Sequence, residues 1–382
     1  MKKILIIILV LLILGAIGYY IYIRFFNGKL KFNTTDSGQN NIVQIDVNNK
    51  FGWLGADESE SNFDDIVQMG GGWMRPHPGP MVWDAMQKGD KSDYNFDDMD
   101  KLVKTSQQAG VNLLITLWPF AEWDQQNRQN AQNCAVSEQD EFLPKNNSKG
   151  RTSYLPSHRC APVDWDKYQN WVKAVVERYD SDDQNDMPKL QYGIKYWEVM
   201  NEPDLEVDES GRLSFWKGSA EDYATLLSKS YQAIKQADNT AQVLIAGAAG
   251  GNNQFLSFYE NILKNFPDAK NYFDIGNIHC ISNDEISKDF NVNAYKSMLL
   301  KYGISKPIWV TEAEAFYGKT AQENFENTKT STSGAIKAGA EKIFYTRYTF
   351  DDFRKDMSEK TTESKDSSTN AIKWYKEITS SY

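Results

Sequence analysis

The feature of the sequence that most constrains its fold is a regular alternation of short apolar runs with longer amphipathic stretches. Such runs are typical of buried strands, and amphipathic stretches between them are typical of the helices that connect parallel strands. The predicted strands cover residues 51–55, 72–75, 111–118, 192–201, 242–247, 273–279, 307–312 and 342–348. The predicted helices cover residues 61–69, 96–109, 165–179, 220–237, 255–265, 292–302, 331–340 and 368–379. Eight such pairs predict an α/β fold, a single (β/α)8 TIM barrel.

A doubly wound open sheet is the alternative architecture for the same alternation. Open sheets that bind nucleotides carry a G-x-G-x-x-G turn after their first strand or a Walker phosphate loop, and this sequence has neither. The barrel is therefore the favoured architecture.

Charge and residue content restrict the chemistry of the chain. The formal net charge of -10 would repel phosphate backbones, so nucleic acid is not expected as a partner. The three histidines are far apart in sequence, and the three cysteines have no C-x-x-C spacing. Neither pattern is typical of a zinc site or a redox motif, so we expect no metal and no cofactor. The chemistry should rest on carboxylates.

The N-terminus carries the clearest targeting signal. Residues 4–23 are uncharged and mostly apolar, which is long enough for one helix to cross a bilayer. A small-residue pattern after a shorter apolar stretch leaves a cleavable signal peptide as the alternative. We predict a membrane anchor at 1–26, a polar linker at 27–41 and a barrel domain at 42–382. The expected location is the cell membrane, with a single pass and the barrel on the extracytoplasmic side.

The longest irregular stretch, residues 119–163, follows the third predicted strand. Loops after barrel strands lie on the face where active sites are built, so this one should form a wall of a cleft. Export would permit a disulfide between Cys134 and Cys160, with Cys280 left as a buried thiol. A second loop, residues 180–186, is rich in aspartate, but it lacks the glycine and terminal glutamate of a standard calcium hand and is interpreted as a solvated turn.

Two predicted strands end in a carboxylate. The fourth ends in W-E-V-M-N-E-P, with Glu202 before a proline, and the seventh ends in W-V-T-E, with Glu312 last. Strand ends of a barrel share one mouth, so these side chains should face each other. Two such carboxyl groups can cleave a glycosidic bond: one gives a proton to the leaving oxygen, and the other attacks the anomeric carbon or activates water. An ion-paired role at a strand end is the alternative for each, and it is the favoured interpretation of Glu198.

These two motifs resemble those of the clan A glycoside hydrolases. The resemblance implies retaining hydrolysis, with Glu202 as acid/base and Glu312 as nucleophile. It further implies that Asn201 binds the sugar hydroxyl next to the anomeric carbon and that Arg75 holds the nucleophile as an anion. His279 stands where these enzymes often carry a histidine on the sixth strand.

Two positions depart from the pattern of that clan. Ile281 stands where a tyrosine is common, and the last strand has no tryptophan to form the floor of a sugar subsite. Tyr348 is the expected substitute for that tryptophan. Trp118, at the end of the third predicted strand, is the strongest candidate for stacking on a sugar ring.

The expected function is therefore that of a retaining glycosidase acting on an oligo- or polysaccharide, and the expected substrate is a β-linked glycan. Two alternatives stay open: a membrane-anchored barrel that binds glycan without cleaving it, and a transglycosylase that passes the glycosyl unit to another sugar.

Overall fold

The computed structural model describes residues 30–33, 42–55, 62–140, 142–143, 155–205, 214–281, 286–350 and 365–382. The chain divides into two compact units, Met1–Asn48 and Asn49–Tyr382. In the first unit, the strands Leu30–Asn33 and Ile42–Ile45 pair antiparallel. No helix among the described residues is long and apolar enough to cross a membrane, and the predicted span at 4–23 lies outside those residues.

The second unit is built on a parallel eight-stranded sheet. Its strands are β1 (Phe51–Gly55), β2 (Trp73–Pro76), β3 (Asn112–Leu117), β4 (Tyr196–Val199), β5 (Gln242–Ile245), β6 (Gly276–Cys280), β7 (Ile308–Ala313) and β8 (Ala340–Tyr345). The strands pair in chain order from β1 to β5 and from β6 to β8, and β8 pairs with β1. Bridges between Leu244 and Ile275 and between Ala248 and Ile278 bring β5 to β6. The sheet is thus a TIM barrel, as predicted.

Helices follow the strands around the barrel. They are α1 (Asn62–Gln68), α2 (Asp97–Ala109), α3 (Trp165–Arg178), α4 (Ala220–Ala237), α5 (Asn253–Asn265), α6 (Val292–Lys301), α7 (Ala321–Ala338) and α8 (Lys365–Thr379). Shorter helical turns lie at Trp83–Met86, Glu122–Gln125, Ala131–Cys134 and Pro267–Asn271. Capping boxes at Ser219 and Thr320 begin α4 and α7, because each side chain accepts the backbone N–H three residues on.

The interior of the barrel is layered. Aromatic rings from four strands fill the end where the strands begin; they belong to Trp73, Tyr196, Trp309 and Phe344. Two residues further along β2, β4 and β7, the same face carries Arg75, Glu198 and Thr311. Side chains alternate along a strand, so an aromatic layer is followed by a polar one closer to the strand ends. That polar layer supports the candidate site.

Candidate active site

Two buried carboxylates occupy the carboxyl end of the barrel. Glu202 follows β4 and Glu312 lies in β7; they are 3% and 5% exposed. A carboxylate oxygen of each and a ring nitrogen of His279 all lie within 4.8 Å of one another. Glu202 has φ +40° and Met200 has φ +74°, left-handed backbone that costs a non-glycine residue about 1–3 kcal/mol. The chain leaves β4 in a turn that directs Glu202 into the barrel mouth.

Arg75 connects the polar layer to Glu312. Its Nη1 donates to Oε1 of Glu312 at 2.8 Å, and its Nε donates to Oε2 of Glu198 at 2.8 Å. Its Nη2 donates to Oδ1 of Asn201 at 2.6 Å. Burial raises the pKa of Glu312 above its ordinary value, and the positive charge of Arg75 opposes that rise. The ion pair with Arg75 thus favours the anionic form of Glu312.

A chain of hydrogen bonds runs from Glu198 to Glu202; we call it the interior chain. Asn277 Nδ2 donates to Glu198 Oε1 at 2.6 Å, and Thr311 Oγ1 donates to Asn277 Oδ1 at 2.8 Å. His279 Nε2 lies 2.8 Å from Thr311 Oγ1, and His279 Nδ1 lies 2.7 Å from Glu202 Oε1. Glu198 also accepts hydrogen bonds from Arg75 and from Thr116, so it is held as an acceptor at the base of the chain.

The interior chain fixes the position of a proton. Because Glu198 is an ion-paired carboxylate, Asn277 must turn its NH2 group towards it and its oxygen towards Thr311. Thr311 has one hydroxyl proton and donates it to Asn277 Oδ1. Its oxygen is then an acceptor towards His279, so His279 Nε2 must carry the hydrogen. A neutral His279 in this tautomer has a bare Nδ1, so the proton of the 2.7 Å bond must belong to Glu202. The geometry therefore favours Glu202 as a carboxylic acid.

The electrostatics of the pair agree with this proton position. Burial raises the pKa of Glu202 to about 7, with Arg75 opposing the rise and Glu198 adding to it. Burial lowers the pKa of His279 to about 4, with the charge of Glu312 opposing the fall. Desolvation disfavours the charged form of both groups, so the neutral pair is stable up to about neutral pH. Glu202 thus lies beside a neutral histidine, whereas Glu312 is ion-paired with Arg75, so the two carboxyl groups of one mouth have unlike environments.

Asn201 carries a buried hydrogen-bond donor with no partner among the described residues, its Nδ2. The side chain is fully buried, and its Oδ1 is already occupied by Arg75. A buried unsatisfied N–H costs about 1–3 kcal/mol and calls for an explanation. A hydroxyl of a bound ligand beside Glu202 would satisfy it.

The remaining predicted site residues are Trp118 and Tyr348. Trp118 is fully buried: its Nε1 donates to the Pro78 carbonyl at 2.6 Å, and its ring packs on other aromatic rings. Tyr348 is half-buried and donates its hydroxyl to the Leu54 carbonyl at 2.8 Å. The structure therefore brings Glu202, Glu312, Asn201, Arg75 and His279 together, whereas Trp118 and Tyr348 each donate to a backbone carbonyl.

Several polar residues of the site were not predicted from the sequence. Thr116, Asn277 and Thr311 are buried polar residues of β3, β6 and β7, and each hydrogen-bonds inside the barrel. Asn277 lies two residues before His279, so the period of two along a strand was an available signal. His77, whose Nδ1 lies 4.0 Å from Glu312 Oε1, follows the end of β2 just past Arg75.

Two groups of described residues have the donor sets of metal sites. The first is formed by Glu202, His279 and Glu312. There His279 Nδ1 is hydrogen-bonded to Glu202, and Arg75 supplies a positive charge next to Glu312. The second comprises Asp180, Asp182 and Asp186. Asp182 and Asp186 accept backbone N–H groups of their own loop, the pattern of a polar turn.

The sequence matches a family described as glycosyl hydrolase catalytic core over residues 141–375, more than half of the chain. A glucosidase from Croceicoccus marinus has a TM-score of 0.59 and 13% identity, over 87% of this chain and 67% of that one. An endo-1,4-beta-mannanase from Rhizomucor miehei has a TM-score of 0.53 and 12% identity, over 92% and 98%. A beta-galactosidase from Marinomonas ef1 has a TM-score of 0.53 and 9% identity, over 87% of this chain and only 59% of that one.

No curated protein sequence matches the chain. The likeness to the solved structures is one of fold, and the family match adds the class of chemistry. Together they confirm the glycoside hydrolase resemblance that two strand-end motifs predicted. The chain belongs to the glycosyl hydrolase catalytic core family and is a glycosidase.

Proposed function

We propose that this glycosidase cleaves a β-linked glycan with retention of configuration, with Glu312 as nucleophile and Glu202 as acid/base. The observation that carries the proposal is that carboxylate oxygens of Glu202 and Glu312 lie within 4.8 Å of each other but have unlike partners. Glu312 is bonded to Arg75, and Glu202 is bonded to the bare nitrogen of His279. Retaining enzymes hold their carboxyl groups about 5 Å apart, whereas inverting ones need about 6.5–9.5 Å to admit water. The short separation supports retention.

In the first step, an oxygen of Glu312 attacks the anomeric carbon while Glu202 gives its proton to the departing glycosidic oxygen. The products are a glycosyl ester on Glu312 and a carboxylate on Glu202. In the second step, Glu202 takes a proton from water, and the resulting hydroxide attacks the anomeric carbon and releases Glu312. The bare Nδ1 of His279 offers the Glu202 carboxylate no hydrogen bond, which favours recovery of the proton from water.

Asn201 and Arg75 assist this chemistry without exchanging protons. The unpaired Nδ2 of Asn201 would donate to the hydroxyl beside the anomeric carbon, a bond that strengthens as charge develops in the transition state. Arg75 keeps Glu312 ionised before attack and holds its carboxylate in one orientation. The β-linkage is supported by the beta-galactosidase and the endo-1,4-beta-mannanase among the structures of similar fold.

The test is a panel of 4-nitrophenyl β-glycosides and β-linked polysaccharides, assayed with wild type, Glu312→Gln and Glu314→Gln. Glu314 is the matched control, because it lies two residues past Glu312 and is ion-paired with Arg347 at 2.9 Å. We expect wild type and Glu314→Gln to cleave at least one substrate of the panel and Glu312→Gln to cleave none. Binding without release of product would favour the non-cleaving barrel, and products heavier than the substrate would favour a transglycosylase.

We further propose that residues 4–23 anchor the enzyme and place the barrel outside the cytoplasm. The disulfide between Cys134 and Cys160 supports this location, since such bonds persist in oxidising compartments. Cys280 is a buried thiol. Protease treatment of intact cells should degrade the barrel and spare a cytoplasmic marker, and a protected barrel would contradict the proposed location.

A further inference from the structure

A buried ion pair lies in the long loop that follows β3. Arg159 Nη2 lies 2.8 Å from Asp140 Oδ1, and Arg159 Nη1 lies 3.0 Å from Asp140 Oδ2. Both side chains are fully buried. A buried ion pair contributes little to stability unless its remaining hydrogen-bonding groups are satisfied, so the other partners of this pair indicate what it holds.

Those partners belong to two different loops. Asp140 Oδ1 accepts from the N–H of Phe142 at 2.9 Å, in the loop after β3. Asp140 Oδ2 accepts from the N–H of Ser214 at 3.1 Å, in the loop after β4, and Arg159 donates to the carbonyl of Ser214. The ion pair therefore joins the two loops through their backbones. The N–H of Arg159 donates to the carbonyl of Cys134 at 2.8 Å, beside the disulfide.

The joined loops carry the aromatic wall, which we define as Phe142, Phe215 and Trp118. The rings of Phe142 and Phe215 lie 5.2 Å apart, and each lies 5.8 Å from the ring of His77. Trp118 lies 5.6 Å from Phe215 and 5.9 Å from His77. The wall thus packs around a histidine whose Nδ1 is 4.0 Å from Oε1 of Glu312.

We propose that Asp140 and Arg159 are positioning residues for glycoside cleavage: they lock the aromatic wall in place and thereby hold His77 beside the nucleophile. The inference rests on the proposed role of Glu312. Neither residue touches the reacting atoms. Their contribution reaches the site through backbone bonds to Phe142 and Ser214, and then through ring packing on His77.

The decisive variant is the double substitution Asp140→Leu with Arg159→Met. Removing both charges avoids an unpaired buried ion, and such replacements are often neutral for stability. The backbone bonds that join the two loops are nevertheless lost. The matched control is Asp100→Leu with Arg178→Met, which removes another two-point Asp–Arg pair, formed between α2 and α3. A second variant, Phe142→Leu, keeps the ion pair and trims the wall.

The primary readout is ¹⁵N-imidazole NMR, which is simple here because the chain has only three histidines. We expect the His77 resonances to shift or broaden in Asp140→Leu/Arg159→Met and in Phe142→Leu, and to stay unchanged in the control. On the 4-nitrophenyl β-glycoside that wild type cleaves fastest, kcat/KM should fall about tenfold or more in the first two variants at equal folded fraction. It should stay within about twofold of wild type in the control.

Unchanged His77 resonances in the folded double variant, or equal losses of kcat/KM in the double variant and the control, would overturn the inference. The NMR comparison needs no turnover. If wild type cleaves no glycoside in the panel, the proposed function fails while the positioning role is still decided by the His77 resonances.

Discussion

Replacing Thr311 with valine should lower the pH at which kcat/KM falls on the alkaline side of the pH profile. Valine has nearly the shape of threonine but cannot accept a proton from His279 Nε2. A buried N–H without an acceptor is unfavourable, so the His279 proton should move to Nδ1 and donate to Glu202. This hydrogen bond stabilises the Glu202 carboxylate and therefore lowers the pKa of the acid.

The size of the effect follows from the interior chain. In wild type, the 2.8 Å contact of His279 with Thr311 and the 2.7 Å contact with Glu202 depend on one tautomer. One hydrogen bond transferred from the acid form to the anion is worth about 1 kcal/mol, which corresponds to about 0.7 of a pKa unit. Since burial raises the pKa of Glu202 to about 7, the basic limb of kcat/KM should move from near pH 7 towards about 6.3.

The assay is kcat/KM against pH on one aryl β-glycoside, which reports the ionisation of the free enzyme. Thr346→Val is the control, because Thr346 Oγ1 donates to Glu314 at 3.0 Å, outside the interior chain. Its basic limb should match wild type. A limb that stays in place or rises in Thr311→Val would refute the assigned proton position.

Three further predictions follow from the same geometry. Asn201→Ala should weaken transition-state binding by about 1–3 kcal/mol, measured as a fall in kcat/KM. The fall should largely vanish on a 2-deoxy glycoside, which lacks the hydroxyl that Asn201 would bind. An equal fall on both substrates would contradict the hydroxyl contact. Because the folded state raises the pKa of Glu202 to about 7, the stability from its proton is present below about pH 4.5 and lost as pH rises through 7. Glu202→Gln should therefore gain about 3 kcal/mol over wild type between pH 4.5 and 8 in urea unfolding, and a constant difference would contradict the shift. Replacing Cys134 and Cys160 with serine should lower the free energy of unfolding by about 2–4 kcal/mol, and an unchanged denaturation midpoint would contradict a formed disulfide.

Much of the fold could be predicted because strands and helices each leave a periodic pattern. All eight strands lie within a few residues of their predicted positions. The clearest miss is the start of α7, predicted at 331 and found at Ala321. Its first turns are polar, with Phe325 as an apolar residue among charged and amide side chains, so the helical periodicity is weak there. The capping box of Thr320 and Glu323 was the available signal.

The meeting of Glu202 and Glu312 could be predicted because each ends an apolar strand, and the strand ends of a barrel share one mouth. The interior chain could not be predicted as a unit, because its members come from β4, β6 and β7 and meet only when the barrel closes. Trp118 shows the converse limit. Its position at a strand end suggested a sugar contact, but the loops after β3 and β4 fold over it.

The most direct test of the central claim is to trap the glycosyl–enzyme with a 2-deoxy-2-fluoro β-glycosyl fluoride and to map the modified residue by mass spectrometry. The electronegative fluorine at carbon 2 slows both formation and hydrolysis of the glycosyl ester. Fluoride is a good leaving group, so the ester still forms, and it accumulates because its hydrolysis is slow. If the account is correct, one glycosyl group will be found on Glu312. A label on Glu202, Glu314 or any other residue would contradict it.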